Sequence, residues 1–260
     1  MLHHRIIGTG TPIVMLHGVS LDHRHMMDLM EPGIRGSGAW KRIYVDMPGH
    51  GGSPARDDIR SQDDLLNAVL DFINAILPDE PFAIAGLSRG SYIARGLVHM
   101  IPERISGVAL IVPGGNPSSD PGRLPAHQVI VDDASIAPEL SEAELWAHEN
   151  MSVVQRWDIV EKRRQIIAPA RARFDAEQDA RIMNAFEFSF ASAEETTPVT
   201  VPSLIVAGRQ DSFSGYLDSI DLMHRFPRAT LAVLDTAGHA LAWERPDVFH
   251  ALVRDWLERM

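Results

Sequence analysis

The 260-residue sequence contains no cysteine, which excludes disulfide bonds, a thiolate nucleophile and zinc sites built from cysteine. It also lacks an excess of basic residues, since 24 Lys and Arg stand against 35 Asp and Glu, a formal net charge of −11. Binding to phosphate backbones needs a basic surface, so we expect no nucleic-acid partner. No stretch approaches the ~18 apolar residues of a membrane span, so we expect no membrane partner.

The first ten residues lack the apolar core of a secretory signal peptide. Together with the missing cysteine, this predicts a cytoplasmic protein. Hydrophobic residues make up 45% and charged residues 23% of the chain, which is typical of a globular protein with a sizeable core. The length suits one large domain, or one domain that carries an insertion.

A short stretch around Ser88 carries the strongest chemical signal. An apolar run over 81–85 predicts a buried strand, Gly86-Leu87-Ser88-Arg89-Gly90 follows it, and apolar residues at helical spacing come next. A strand, a sharp turn and a helix are the context of a Gly-x-Ser-x-Gly nucleophile elbow. The bare motif also arises by chance in roughly one chain in ten of this length. The assignment therefore depends on whether the chain also supplies an acid, a base and oxyanion donors.

Apolar runs alternate with helical periodicity over the first 115 residues and again after residue 200. Strands are predicted at 3–7, 13–16, 42–45, 81–85, 107–112, 204–208 and 229–234, and helices at 62–77, 216–226 and 247–259. Pro32 and Gly33 are predicted to end a further helical segment that begins after residue 20. This alternation predicts an α/β fold, a mostly parallel twisted sheet flanked by helices.

Residues 116–196 break the alternation. Residues 116–125 are rich in Pro, Ser, Asp and Gly and predict a loop, and Ser141-Glu142-Ala143-Glu144 predicts a capping box that opens a helix through about residue 149. The segment is far longer than an ordinary loop, so we predict a helical insertion. Its arginines either face an acidic ligand or, as we expect, pair with acidic neighbours on solvated faces: Arg156, Arg163, Arg164, Arg171, Arg173 and Arg181.

Five polar residues directly follow predicted strands: His17, Asp46, Ser88, Asp211 and His239. The carboxyl ends of parallel strands share one edge of a sheet, where open α/β sheets bind their ligands. A serine hydroxyl needs a base at neutral pH, and histidine titrates in the right range.

His239 is the best candidate among the 12 histidines, because Ala-Gly-His follows a strand and precedes an apolar helix. The others considered lie near the N-terminus or on predicted helices: His3, His4, His99, His148, His224 and His250. The base needs an orienting carboxylate, for which Asp211 is favoured. An aspartate there also suits a turn, and Asp235 lies closer to His239 in sequence.

Two preorganised donors are needed for a developing oxyanion. The backbone N–H of Arg89 follows the nucleophile, and the loop after the 13–16 strand offers the N–H of Val19. Ser20 is able to add a hydroxyl contact, whereas His17 is predicted to be structural. The side chain of Arg89 points either toward the helical insertion or a substrate acid group, or forms a structural salt bridge.

These residues resemble the α/β-hydrolase fold superfamily. Ser88, Asp211 and His239 occur in that family's Ser…Asp…His order, His17-Gly18 resembles its oxyanion loop, and the 46–53 segment resembles its Asp-x-x-Gly-x-Gly-x-Ser motif. The resemblance implies a hydrolase core over 1–115 and 197–260. It also implies that 116–196 is the helical cap, or lid, which the family inserts after its sixth strand. A serine at the elbow, in place of an aspartate, disfavours alkyl-enzyme chemistry.

The favoured hypothesis is a serine hydrolase of a small carboxylic ester, lactone or thioester, with Ser88, His239 and Asp211 as catalytic triad and Val19 and Arg89 as oxyanion donors. A carbon–carbon bond hydrolase or lyase with the same triad is the first alternative, and a non-catalytic ligand-binding protein is the second. No cofactor or metal is implied. The expected partner is a small-molecule substrate, and the sequence is compatible with a homodimer. Six aromatic residues of the insertion would line an apolar pocket if they faced inward, although we expect most to hold the insertion together: Trp146, Trp157, Phe174, Phe186, Phe188 and Phe190.

Overall fold

The computed structural model describes residues 1–114 and 123–260. Its seven strands, β1 to β7, are His4–Ile7, Thr11–Leu16, Trp40–Val45, Phe82–Leu87, Ile105–Ile111, Ser203–Gly208 and Ala229–Leu234. They form one sheet in the order β1-β3-β2-β4-β5-β6-β7. Only β1 is antiparallel to its neighbour, and all other pairs are parallel. The predicted strands and the mostly parallel sheet are confirmed.

Helices flank the sheet and follow most strands. The α-helices α1 to α11 are His23–Ile34, Gln62–Ile76, Arg89–Met100, Glu142–Met151, Trp157–Lys162, Ala168–Arg171, Ala176–Met183, Ala191–Thr196, Leu217–Asp221, Leu241–Glu244 and Pro246–Glu258. A π-helical turn, Arg163–Ile167, joins α5 to α6. Short 3₁₀ turns occur at Pro102–Arg104, Ala137–Glu139 and Leu222–His224. None of the described helices has the length and apolar character needed to cross a bilayer.

The central strand β4 is buried at every position, because helices cover both faces of the sheet. Phe82 and Ile84 point into a core shared with α2 and α3, where Phe72 and Leu97 are buried. The alternate residues of β4 enter a second core on the opposite face, which α1 and α11 complete. Two cores therefore fix β4 between them, and its carboxyl end carries the elbow.

Helix α1 does not end at Pro32 and Gly33, so that prediction is wrong. The helix continues to Ile34, and the N–H of Arg35 still donates to the carbonyl of Glu31 at 3.0 Å. Gly33 faces α11, since a Cβ placed there would lie 3.0 Å from Val253 Cγ1. Close packing between α1 and α11 stabilises the last turn despite the N–H donor that proline lacks.

A helical segment connects β5 to β6 and contains α4 to α8. It follows the fifth strand of this sheet, because five strands precede it. The predicted capping box is present, with the N–H of Ser141 donating to Glu144 Oε2 at 2.9 Å. The loop predicted at 116–125 falls mostly outside the described residues, and the division into a core and a cap domain at 116–196 stays a prediction.

Candidate active site

Ser88 lies between β4 and α3 with a φ of 53°, in the left-handed region that side chains rarely adopt. Its N–H donates to the carbonyl of Ile111 at 2.9 Å. A Cβ at Gly86 would lie 2.2 Å from the carbonyl oxygen of Gly90, and a Cβ at Gly90 would lie 2.2 Å from that of Leu16. Both glycines are therefore required where α3 crosses β4 and β2, and the predicted elbow conformation is confirmed.

His239 and Asp211 are brought together by the loops that follow β7 and β6. His239 Nδ1 lies 2.9 Å from Asp211 Oδ2. The carboxylate of Asp211 is fully buried, and its Oδ1 accepts the backbone N–H groups of Phe213 at 2.9 Å and Ser214 at 3.0 Å. Since a carboxylate accepts, Nδ1 of His239 carries the proton, and Nε2 keeps the lone pair that a general base needs.

The pKa of His239 is raised above 6.5. Burial of the imidazole alone would lower the pKa, but the negative charge of Asp211 and its hydrogen bond outweigh burial, with a smaller contribution from the charge of Glu244. The site therefore stabilises the imidazolium that forms when His239 takes a proton.

A cavity of about 490 Å³ contains Ser88, His239, Val19 and Arg89 in its wall. Asp211 lies behind His239, away from this space. Among the described residues, Ser88 Oγ forms no hydrogen bond within 3.5 Å, so Ser88 and His239 border the same cavity without a hydrogen bond between them. Catalytic hydrogen bonds are often long in a site without substrate and shorten when substrate binds.

The backbone N–H groups of Val19 and Arg89 have no acceptor within the part of the chain that the structure describes. For Arg89 the reason is its place at the first position of α3, where helical N–H groups lack an intrahelical partner. Ser20 lies beside Val19 in the cavity wall and has a φ of 58°. Two free donors thus border the cavity on the side of Ser88.

His17 is structural, as predicted. Its Nε2 accepts the N–H of Met47 at 3.0 Å, and its Nδ1 donates to the carbonyl of Gly18 at 2.7 Å. Complete burial and the neighbouring His50 lower its pKa to about 3. The neutral ring therefore connects the loop after β2 to the loop after β3.

The alternative acids lie elsewhere. Asp235 is exposed and accepts a hydrogen bond from Gln210 Nε2 at 2.8 Å. Asp218 borders the cavity, but it forms an ion pair with Arg123 at 2.9 Å. The structure thus brings Asp211, and neither of these, to the imidazole of His239.

The side chain of Arg89 joins the elbow to the helical segment. Its guanidinium is buried, forms an ion pair with Asp179 of α7 and lies 3.1 Å from Met183 Sδ. Of the directions considered from the sequence, the structural salt bridge is the one observed. The arginine therefore helps to hold α7 over the cavity.

The sequence did not identify most of the apolar wall of the cavity. Of the six aromatic residues singled out in the helical segment, only Phe186 borders it, and Trp146 is exposed. Phe188 instead stacks on Tyr92 with ring centroids 4.1 Å apart. The apolar side chains that border the cavity besides Phe186 are Val19, Leu21, Leu87, Met151, Ile167, Met183, Phe213, Ala240 and Trp243.

Glu244 is a further residue that no sequence pattern indicated. Its buried carboxylate accepts the N–H groups of Gly238 at 2.6 Å, Val153 at 2.9 Å and Val154 at 3.2 Å. Burial raises its pKa above the usual value despite these hydrogen bonds. Glu244 thereby connects the loop that carries His239 to the helical segment.

One group of side chains has the composition of a metal site: His3 precedes β1, His23 begins α1 and Asp46 follows β3. The ligand atoms of His3, His23 and Asp46 lie within 4.8 Å of one another. Asp46 already accepts four hydrogen bonds, from both imidazoles and from the N–H groups of His23 and Gly52. Burial would raise its pKa, but the bonds from His23 and Gly52 hold it well below the usual range. Each carboxylate oxygen of Asp46 therefore already accepts two hydrogen bonds within this cluster.

Residues 13–252 match the model of the alpha/beta hydrolase family. The chain is 22% identical to a 2-hydroxy-6-oxononadienedioate/2-hydroxy-6-oxononatrienedioate hydrolase of Burkholderia vietnamiensis, over 99% of this chain and 91% of that protein. It is 25% identical to a pimeloyl-[acyl-carrier protein] methyl ester esterase of Aeromonas hydrophila, over 96% of each. Among solved structures, an alpha/beta superfamily hydrolase of Oenococcus oeni superimposes with a TM-score of 0.90 at 24% identity, over 98% of this chain and 95% of that one.

Proposed function

Because the chain belongs to the alpha/beta hydrolase family, we propose that it hydrolyses a small carboxylic ester, lactone or thioester with Ser88 as nucleophile. The family match confirms the predicted fold and the predicted class of enzyme. The observation that carries the proposed reaction is the 2.9 Å hydrogen bond between His239 and Asp211 beside the cavity that contains Ser88.

In the proposed reaction, Ser88 Oγ attacks the carbonyl carbon while His239 Nε2 takes the hydroxyl proton. Asp211 holds the imidazole in the required tautomer and stabilises the imidazolium. The N–H groups of Val19 and Arg89 stabilise the oxyanion of the tetrahedral intermediate. As that intermediate collapses, His239 gives the proton to the leaving alcohol or thiol, and the acyl group stays on Ser88.

Water completes the cycle. His239 removes a proton from a water molecule, which attacks the acyl carbonyl, and the second intermediate releases the carboxylic acid and returns the proton to Ser88 Oγ. The cavity of about 490 Å³ suits a small-molecule substrate. A cytoplasmic location and a homodimer stay predictions.

A second candidate reaction is hydrolysis of a carbon–carbon bond, or lyase chemistry, in a diketone-like or acidic substrate with the same triad. The similarity to the 2-hydroxy-6-oxononadienedioate hydrolase over 99% of the chain supports it. The third candidate, a non-catalytic binding protein, requires Ser88 to be unreactive.

A fluorophosphonate probe and short p-nitrophenyl esters separate these candidates, with Ser88→Ala as control. The ester hydrolase predicts that both labelling and ester turnover are present and that both disappear in Ser88→Ala. Labelling without ester turnover would favour carbon–carbon or lyase chemistry. Folded protein that shows neither would contradict the proposed triad and favour the binding protein.

A further inference from the structure

Two arginine side chains of the helical segment border the cavity that contains Ser88. Arg163 begins the π-helical turn, and Arg171 ends α6. Ile167 lies four residues after Arg163 and four residues before Arg171. This spacing places all three side chains along one face of a helical run. All three border the cavity. The proposed ester chemistry uses neither arginine.

Arg163 is half-buried and Arg171 is exposed, and the Arg163 cation has no carboxylate within ion-pair distance among the described residues. Its Nε is buried and unbonded, and its terminal nitrogen donates only a long hydrogen bond of 3.4 Å to the carbonyl of Ala147. Within residues 1–114 and 123–260, neither Arg163 nor Arg171 forms an ion pair. A buried N–H donor without an acceptor is costly, so a negative group placed beside the Nε of Arg163 would gain interaction free energy.

The electrostatic surroundings of Arg163 agree with this description. Burial lowers its pKa, the charge of Glu244 partly opposes that effect, and the positive charge of Arg171 lowers the pKa further. Glu244 is already engaged by three backbone N–H groups. The positive charge of the two arginines is therefore only partly balanced by the protein.

Other arginines of the same region have partners. Arg156 pairs with Asp158 at 2.9 Å, and Arg164 pairs with Glu144 at 2.5 Å. Among the described residues, the expectation that the arginines of this segment pair with acidic neighbours thus holds for these two and fails for Arg163, Arg171, Arg173 and Arg181. Of these four arginines, Arg163 and Arg171 border the cavity, whereas Arg173 and Arg181 do not.

We propose that Arg163 and Arg171 form a binding subsite for a carboxylate of the substrate, so that the enzyme acts on acyl compounds that carry a second, free acid group. The inference rests on the proposed function for the position of the reacting bond at Ser88. Guanidinium groups bind carboxylates through paired hydrogen bonds. The net charge of −11 repels acids at long range, so local cations have to supply the attraction.

Mono-p-nitrophenyl adipate and p-nitrophenyl hexanoate test the subsite, since their acyl chains have equal length and differ in the terminal carboxylate. We expect wild type to prefer the adipate half-ester. Arg163→Gln should lower kcat/KM for that half-ester about 10- to 100-fold and change kcat/KM for the hexanoate ester by less than about threefold. Arg164→Gln is the matched control and should change neither. Equal use of both esters by wild type, or an equal loss for both in Arg163→Gln, would overturn the subsite.

Equilibrium binding separates the subsite from the reaction. Ser88→Ala protein is titrated calorimetrically with adipate and with the uncharged adipamide, alone and combined with Arg163→Gln. The subsite predicts that adipate binds more tightly and that Arg163→Gln removes the difference. If adipate binding depends on Arg163 while wild type hydrolyses no ester, the reaction assignment fails and the subsite stands. If esters are hydrolysed but adipate binds no better than adipamide, the subsite fails and the hydrolase stands.

Discussion

Replacing Asp211 with asparagine should abolish most of the turnover, because the structure dictates how the new amide is oriented. Two backbone N–H groups, from Phe213 and Ser214, point at Oδ1, whereas among the described residues only the imidazole of His239 bonds to Oδ2. An asparagine that turned its NH₂ group toward the two N–H donors would leave both buried donors without an acceptor, at about 1–3 kcal/mol each. The amide oxygen therefore keeps the Oδ1 position, and the NH₂ group faces His239.

That orientation reverses the tautomer of His239. An NH₂ group donates, so Nδ1 has to accept and Nε2 carries the proton, which leaves no lone pair for the hydroxyl of Ser88. The carboxylate that stabilised the imidazolium is lost as well. We expect kcat to fall by about 10⁴-fold, equivalent to roughly 5 kcal/mol in the activation barrier.

The assay is steady-state hydrolysis of p-nitrophenyl acetate at pH 8, with thermal unfolding to verify that Asp211→Asn is folded. Asp235→Asn is the matched control, since Asp235 is exposed and bonds to Gln210. It should keep kcat within about twofold. A folded Asp211→Asn protein with kcat within tenfold of wild type, or an equal loss in Asp235→Asn, would refute the assigned role of Asp211.

Three further predictions concern pH and stability. The imidazole of His239 must be neutral to accept a proton, and its pKa is raised above 6.5. We therefore expect kcat/KM for a neutral ester to fall as pH drops through an apparent pKa above 6.5. A profile that is flat from pH 5 to 8 would be inconsistent with this base. Gly90→Ala should lower the free energy of unfolding by about 1–3 kcal/mol in urea titrations, because its Cβ would lie 2.2 Å from the carbonyl oxygen of Leu16. Arg89→Met should lower the free energy of unfolding by about 3 kcal/mol, because Asp179 is left without its partner. Arg89→Met combined with Asp179→Asn should recover part of that free energy, and additive losses would argue against the ion pair.

The sheet, and the placement of Ser88, Asp211 and His239 along one edge of it, were accessible from sequence because local signals determine them. Buried parallel strands are continuous apolar runs, and such runs identified the six strands that pair in parallel, β2 to β7. The positions of Ser88, Asp211 and His239 follow from where those runs end, since parallel strands place their carboxyl ends along one edge. The Gly-x-Ser-x-Gly motif around Ser88 also contains Gly86 and Gly90, where a Cβ would clash with a backbone carbonyl oxygen.

The structural features that local sequence patterns did not predict depend on contacts between segments distant in sequence. Helix α1 runs through Pro32 because α11 packs against it, and no local pattern reports that contact. The burial of Glu244 depends on N–H groups from Val153 and Val154, about 90 residues earlier in the chain.

The side chains that border the cavity from the helical segment were also not predictable. A π-helical turn at Arg163–Ile167 changes the number of residues per turn there. The four-residue spacing of 163, 167 and 171 indicates a shared helical face, but the sequence does not show whether that face borders the cavity or solvent.

The most direct test of the central claim, that Ser88 carries the acyl group, is mass spectrometry of protein quenched with acid during turnover of p-nitrophenyl acetate. The proposed mechanism predicts an acetyl group on the peptide that contains Ser88, lost on standing in wild type and never formed in Ser88→Ala. Continued turnover without a covalent adduct, or an acetyl group on another residue that persists in Ser88→Ala, would contradict it.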